Sequence, residues 1–219
     1  MARLIIFGAG DIARLAHFYF TTDSEHEVSA FVVDRDYRQS DSFLGLPLCD
    51  SDELAARYPP SEYAMFVALS YARMNRVRAE KYDALRAAGY RLVTYVSSRC
   101  TYLSRTPPGD NCFILEDNTV QPFVTIRNNV TLWSGNHIGH DSVIDDHCFI
   151  TSHVVVSGNV HVGERAFIGV NATLRNSITI APGTLIGAGS VIMKNTKPNT
   201  VYMPERAKLF PKSSDEIEL

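Results

Sequence analysis

The chain has 219 residues, 45% hydrophobic and 21% charged, with a formal net charge of −3. This supplies enough apolar material for one or two soluble domains with real cores and excludes a disordered or low-complexity chain. The 21 Lys and Arg are scattered through a mildly acidic sequence, so there is no bulk field for nucleic acid or anionic lipid, and neither is expected as a partner.

In chain order, an apolar run at residues 4–7 is broken by Gly8, too early for a signal peptide, and no stretch approaches the roughly 20 residues of a membrane span. A cytoplasmic location is expected. Cys49, Cys100, Cys112 and Cys148 have no paired spacing, which predicts reduced thiols. Residues 4–7 read as a buried strand, Gly8-Ala9-Gly10 as a tight turn, and 11–20 as a helix with Asp11 placed to cap it. A second strand at 28–33 ends at Asp34. A polar loop follows, then a short helix at 51–57 and a strand at 63–69 that leads to Ser70. A longer helix from about 72 to 88 is closed by Gly89, and a strand covers 91–96. The alternation of strand and helix over residues 1–96 predicts a small Rossmann-like parallel sheet with helices on its faces, about half the size of a full dinucleotide-binding fold.

The second half obeys a different rule. From Ile114 in steps of six stand Val120, Ile126, Leu132, Ile138, Ile144, Ile150, Val156, Val162, Ile168, Leu174, Ile180, Ile186 and Ile192, without a polar exception. Four residues after these runs a column of mostly small or β-branched residues, including Val124, Val130, Ser142, Cys148, Val154, Ala166 and Ala172. One large and one small inward position per six residues predicts a triangular parallel β-helix, three short strands to a coil, over 97–200, with 201–219 as a tail. Stacked positions then lie 18 residues and roughly 4.8 Å apart, and 114–195 fill between four and five coils. Asn118 and Asn136 should stack as an internal ladder. Cys112 and Cys148, two coils apart, are expected to be roughly 9.6 Å from each other and unbonded.

Five histidines lie in the repeats, at 137, 140, 147, 153 and 161, but none stack within one chain, and no metal is expected; a site shared between subunits, as in β-helical carbonic anhydrases, is the alternative. His140 stands apart because Asp141 follows it and Gly158 occupies its column one coil on. The glycine leaves room for a reacting group and exposes a backbone N–H, while the imidazole can take a proton from an amine or hydroxyl. The bland alternative is a solvated corner histidine.

The segments Ser134-Gly135-Asn136-His137-Ile138-Gly139-His140-Asp141, Ser157-Gly158-Asn159-Val160-His161-Val162-Gly163, Phe167-Ile168-Gly169-Val170-Asn171 and Ile186-Gly187-Ala188-Gly189-Ser190-Val191 resemble the bacterial sugar acyltransferases of the left-handed β-helix (hexapeptide repeat) class. The group that is most similar comprises sialic acid O-acetyltransferases and nucleotide-aminosugar N-acetyltransferases. The resemblance implies a homotrimer with acetyl-coenzyme A between neighbouring β-helices and a nucleotide-linked sugar held by the N-terminal domain. It implies His140 as general base beside Asp141, Gly158, Gly169, Gly187 and Ala188 along the cofactor, and Gly8, Gly10, Asp34 and Ser70 around the nucleotide. The sequence departs from the family pattern in Asp11 after Gly10, in Trp133-Ser134 near the acceptor, and in the ending Met203-Pro204-Glu205-Arg206-Ala207-Lys208. The function expected is N-acetylation of a nucleotide-linked aminosugar from acetyl-CoA. Sugar O-acetylation and a non-catalytic trimeric binding module are the alternatives, and the partial dinucleotide fingerprint Gly8-x-Gly10-x-x-Ala13 with Asp34 is a weaker one.

Overall fold

The structure is a computed structural model that describes residues 3–217. Its N-terminal part contains strands β1 (Arg3–Phe7), β2 (Glu27–Val33), β3 (Ser42–Phe43), β4 (Leu46–Asp50), β5 (Tyr63–Val67) and β6 (Arg91–Leu92), with helices α1 (Asp11–Thr22), α2 (Leu54–Arg57) and α3 (Arg76–Ala87). The sheet order is β3-β4-β2-β1-β5-β6, parallel except for the β3–β4 hairpin. Side chains alternate across the strands. Leu4, Ile6, Phe31 and Val33 meet Ala13, Ala16 and Phe20 of α1 on one face, whereas Ile5, Phe7, Ala30 and Val32 share the other with Tyr82 and Leu85 of α3.

Four local expectations need correction. Asp11 does not cap α1: Gly10 is the N-cap, and Asp11 points into solvent 3.3 Å from Arg14. The third helix begins at Arg76 rather than 72, because Arg73, Met74 and Asn75 are all left-handed, with φ of 51°, 55° and 63°. The stretch 34–51 is not merely a loop, since Leu44 (φ 51°) and Gly45 (φ 79°) turn a hairpin within it. The strand expected at 91–96 divides between two structures: β6 joins this sheet, whereas Tyr95–Val96 begins the β-helix.

The β-helix has three stacked parallel sheets. The first contains Tyr95–Val96, Phe113–Ile114, Thr131–Leu132, Phe149–Ile150, Phe167–Ile168, Leu185–Ile186 and Val201–Tyr202. The second runs from Thr101–Tyr102 to Val191–Ile192 and the third from Thr125–Ile126 to Thr179–Ile180. These sheets fit the left-handed β-helix, which thus starts one coil before 114 and ends beyond 195. The hexad residues 114 to 192 are all buried, as is the small column between them. Every sixth residue from Asn111 to Gly189 is left-handed, which turns the chain at each corner, and Asn, Asp, Gly and His fill most of these positions. Asn118 and Asn136 stack, but each side-chain oxygen accepts from the backbone N–H one coil on: Asn136 N at 3.2 Å and Val154 N at 2.8 Å. Cys112 and Cys148 are buried free thiols, both pushed up to about 12 by burial.

The first sheet's outward residues explain where the N-terminal part docks. Phe113 and Phe149 are buried under it, and Tyr71 packs on Phe149 and Phe167. A polar clamp accompanies this contact. The guanidinium of Arg78, wholly buried, donates to the backbone oxygens of Asn129, His147 and Cys148 and to Oδ1 of Asn129 and Asn75. No helix among the described residues is long and apolar enough to cross a membrane.

Candidate active site

His140 and Asp141 form the corner between the second and third sheets. Asp141 is left-handed (φ 59°), which turns its carboxylate back so that Oδ2 lies 2.8 Å from His140 Nδ1. A carboxylate only accepts, so Nδ1 carries the proton and Nε2 presents a lone pair. The His140 N–H is held at 2.8 Å by Gln121 Oε1, which fixes the backbone under the ring. Gly158 meets the expectation of a neighbour one coil on but differs in what its missing side chain admits: a Cβ there would lie 2.6 Å from His140 Nε2. The space therefore seats the imidazole itself rather than a reacting group. Both side chains remain about half exposed, at 55% and 49%.

Gly169, Gly187 and Ala188 lie at a different corner, between the first and second sheets. A Cβ on Gly169 would come 2.5 Å from the Ala188 backbone nitrogen, so that glycine is dictated by close coil stacking, whereas a Cβ on Gly187 would meet first the flexible side chain of exposed Met203, at 2.6 Å. Within one chain the width of the second sheet separates this corner from His140.

Gly8, Gly10, Asp34 and Ser70 converge on a third place, one cavity of about 440 Å³ at the carboxyl ends of β1, β2 and β5. Gly8 (φ 128°) is required there, because a Cβ would meet the Ala68 carbonyl oxygen at 2.7 Å. Asp34 Oδ1 accepts from Lys81 Nζ at 2.7 Å and Ser51 Oγ at 3.1 Å, and the Lys81 ammonium lies 5.3 Å from the Phe7 ring centre. Lys81, Tyr37 and Gln39 also line this cavity and were absent from the sequence-based set. Val77 and Lys81, four apart on α3, share the face turned to it. Among the described residues no group of three His, Cys, Asp or Glu could hold a metal ion.

With this geometry in place, comparison with known proteins shows what the chain is similar to. Residues 123–158 match the family described as bacterial transferase hexapeptide (six repeats). The chain superposes on the acetyltransferase domain of PglB from Neisseria gonorrhoeae with a TM-score of 0.80 at 22% identity, over 96% of this chain and 100% of that one. PerB from Caulobacter crescentus, solved in complex with CoA and GDP-perosamine, gives a TM-score of 0.80 at 22% identity over 93% and 95% of the two chains. An acyl-[acyl-carrier-protein]–UDP-N-acetylglucosamine O-acyltransferase of Pseudomonas entomophila is 36% identical over 72 residues, 30% of this chain. The match spans only 28% of that relative's length. Residues 123–158 thus match hexapeptide-transferase repeats, and the whole chain shares the fold of the two acetyltransferase structures.

Proposed function

We propose that the protein transfers an acetyl group from acetyl-CoA to the amino group of a nucleotide-linked aminosugar, with His140 as general base. The observation that carries this reading is the His140–Asp141 pair, whose free Nε2 is fixed over Gly158 on a hexapeptide-transferase β-helix. The acceptor nitrogen attacks the thioester carbonyl while His140 Nε2 takes its proton; the C–S bond then breaks and the coenzyme leaves as its thiol once reprotonated by the imidazolium. The Gly158 N–H supplies oxyanion stabilisation on this reading, since one coil below the equivalent N–H of His140 is occupied by Gln121, whereas Gly139 offers no side chain to Gly158. The cavity of Gly8, Gly10, Asp34 and Ser70 holds the nucleotide, with Asp34 and Lys81 supplying an acceptor for ribose hydroxyls and a cation for phosphate. This makes the N-terminal part a small Rossmann-like nucleotide domain, with the boundary between Leu92 and Tyr95.

A homotrimer belongs to the same proposal. Val155 and Val191 are exposed on the second sheet, at 39% and 63%, on either side of Thr173, and Met193, 54% exposed, follows the last strand of that sheet, which leaves apolar surface on this side of the prism. The PglB and PerB structures favour the N-acetyl reading, since PerB was crystallised with CoA and GDP-perosamine. The decisive experiment measures thiol release from acetyl-CoA against a panel of nucleotide-linked amino and hydroxy sugars, with His140→Ala beside the wild type. Loss of about 10²–10⁴-fold in kcat on the amino sugars alone is expected. Unchanged turnover in His140→Ala would remove the base assignment, and turnover only on hydroxy sugars would replace N- with O-acetylation.

A further inference from the structure

A second cleft, also of about 440 Å³, opens where the loop before α3 meets the last coils of the β-helix. Its charged lining is Arg73, Arg76 and Arg165, and its apolar lining includes Met74, Leu185 and Val201. No Asp or Glu lines it. This contrasts with the acceptor cavity, where Asp34 neutralises Lys81 at 2.7 Å.

Several guanidinium groups elsewhere in this mildly acidic chain have a close carboxylate: Arg38 has Asp41 at 2.7 Å, Arg99 has Asp117 at 2.9 Å and Arg127 has Asp145 at 3.0 Å. Around the second cleft the pairing is weaker. Arg73 reaches Glu80 only at 4.0 Å, Arg165 has no more than its chain neighbour Glu164 at 3.3 Å, and Arg76 makes no ion pair among the described residues. Behind them lies Arg78, buried on carbonyl and amide oxygens without a carboxylate. Arg76 and Arg78 also occupy the first turn of α3, which carries no acid, so positive side chains are gathered at the end of the helix where an anion is favoured. A concave site lined by three arginines and by no carboxylate suits phosphate oxygens, and the apolar wall suits an organic body next to them.

We propose that this cleft binds a small soluble phosphate-bearing molecule, its phosphate held by Arg73, Arg76 and Arg165 and its organic part against Met74, Leu185 and Val201. The site is separate from the acceptor cavity and stands whether or not the acetyl-transfer reading holds. Arg76 is exposed and Arg165 half-buried, so both can be changed without opening the core.

The test is calorimetric titration of the full chain with pyrophosphate at low salt. Binding is expected to weaken at least tenfold in Arg76→Gln and in Arg165→Gln, to weaken as salt rises, and to stay within twofold in Lys81→Gln, which alters only the acceptor cavity. Absence of pyrophosphate binding at millimolar concentration would overturn the proposal. So would binding that Lys81→Gln abolishes and the two arginine variants leave intact, which would place the anion in the acceptor cavity. Co-sedimentation with phosphatidic acid vesicles that both arginine variants abolish would make the phosphate a lipid headgroup and overturn the soluble ligand.

Discussion

The role proposed for His140 depends on which ring nitrogen carries the proton, and that is decided by one neighbour. Asp141 accepts from Nδ1 at 2.8 Å, and its left-handed backbone is what brings the carboxylate round to the ring. Asp141→Asn preserves the shape, and asparagine tolerates the same φ, but its amide can donate to Nδ1 and so favour the wrong tautomer. A fall in kcat of about 10²-fold with little change in KM is expected, read by steady-state kinetics. Gly158→Ala should act on the same atom by displacement, since its Cβ would lie 2.6 Å from Nε2. The imidazole is exposed enough to swing away, so a melting temperature close to wild type with a large loss of kcat is expected; a large loss of stability with normal kcat would mean that Gly158 serves packing alone. The pairing of His140 with Gly158 was legible in the sequence because an 18-residue step is a spatial neighbour in any such coil. Lys81 was not, because its approach to Asp34 depends on how α3 is set against β2, which no local period encodes.

At the scale of elements, periodicity proved reliable and caps and turns did not. The hexad column is an unbroken pattern, and each of its residues is buried. The β3–β4 hairpin was hidden because its turn uses Leu44 at φ 51° with Gly45, without the Asn-Gly or Asp-Gly pair that normally marks such a turn. The start of α3 was hidden because Arg73, Met74 and Asn75 have ordinary helix-compatible side chains, yet are held left-handed where Asn75 and Arg78 bond into the β-helix. That junction has a titratable member. Asn129 Oδ1 accepts from Arg78 and from Asn111, so its amide nitrogen donates to His147 Nδ1 at 2.8 Å, and the ring must be unprotonated there. Burial, followed by the Arg78 charge, lowers the His147 pKa below its usual 6.5. The unfolded chain therefore binds the proton more readily, and the His147 contribution to stability is complete above about pH 6.5 and shrinks as pH falls below it, by at most ~1.4 kcal/mol per pH unit. Melting temperatures at pH 7.5 and 5.5 should show a steeper acid loss in wild type than in His147→Asn; equal slopes would mean that His147 does not govern this step.

For the whole molecule, the arrangement of corners has a consequence that no single residue carries. The three corners of a triangular coil point in different directions, and the His140 corner and the Gly169–Gly187–Ala188 corner stand on opposite edges of the second sheet. If one acetyl-CoA uses both, they must come from different copies of the chain, and the sheet between them, with Val155 and Val191 exposed on it, is the surface that would bring copies together. The contact is then heterologous, one corner of each protomer meeting the other corner of the next, and in the proposed homotrimer three such contacts close a ring. This arrangement can be tested by complementation. His140→Ala removes the proposed base, and Ala188→Trp, at an exposed position, blocks the opposite corner without touching the prism core. Each variant alone should be inactive. Refolded together in equal amounts, random assortment leaves about a quarter of the sites with a native His140 from one protomer and a native Ala188 from its neighbour, so recovery of about a quarter of wild-type activity is expected. A site built within one chain predicts no recovery at all, because every protomer in the mixture carries one defect.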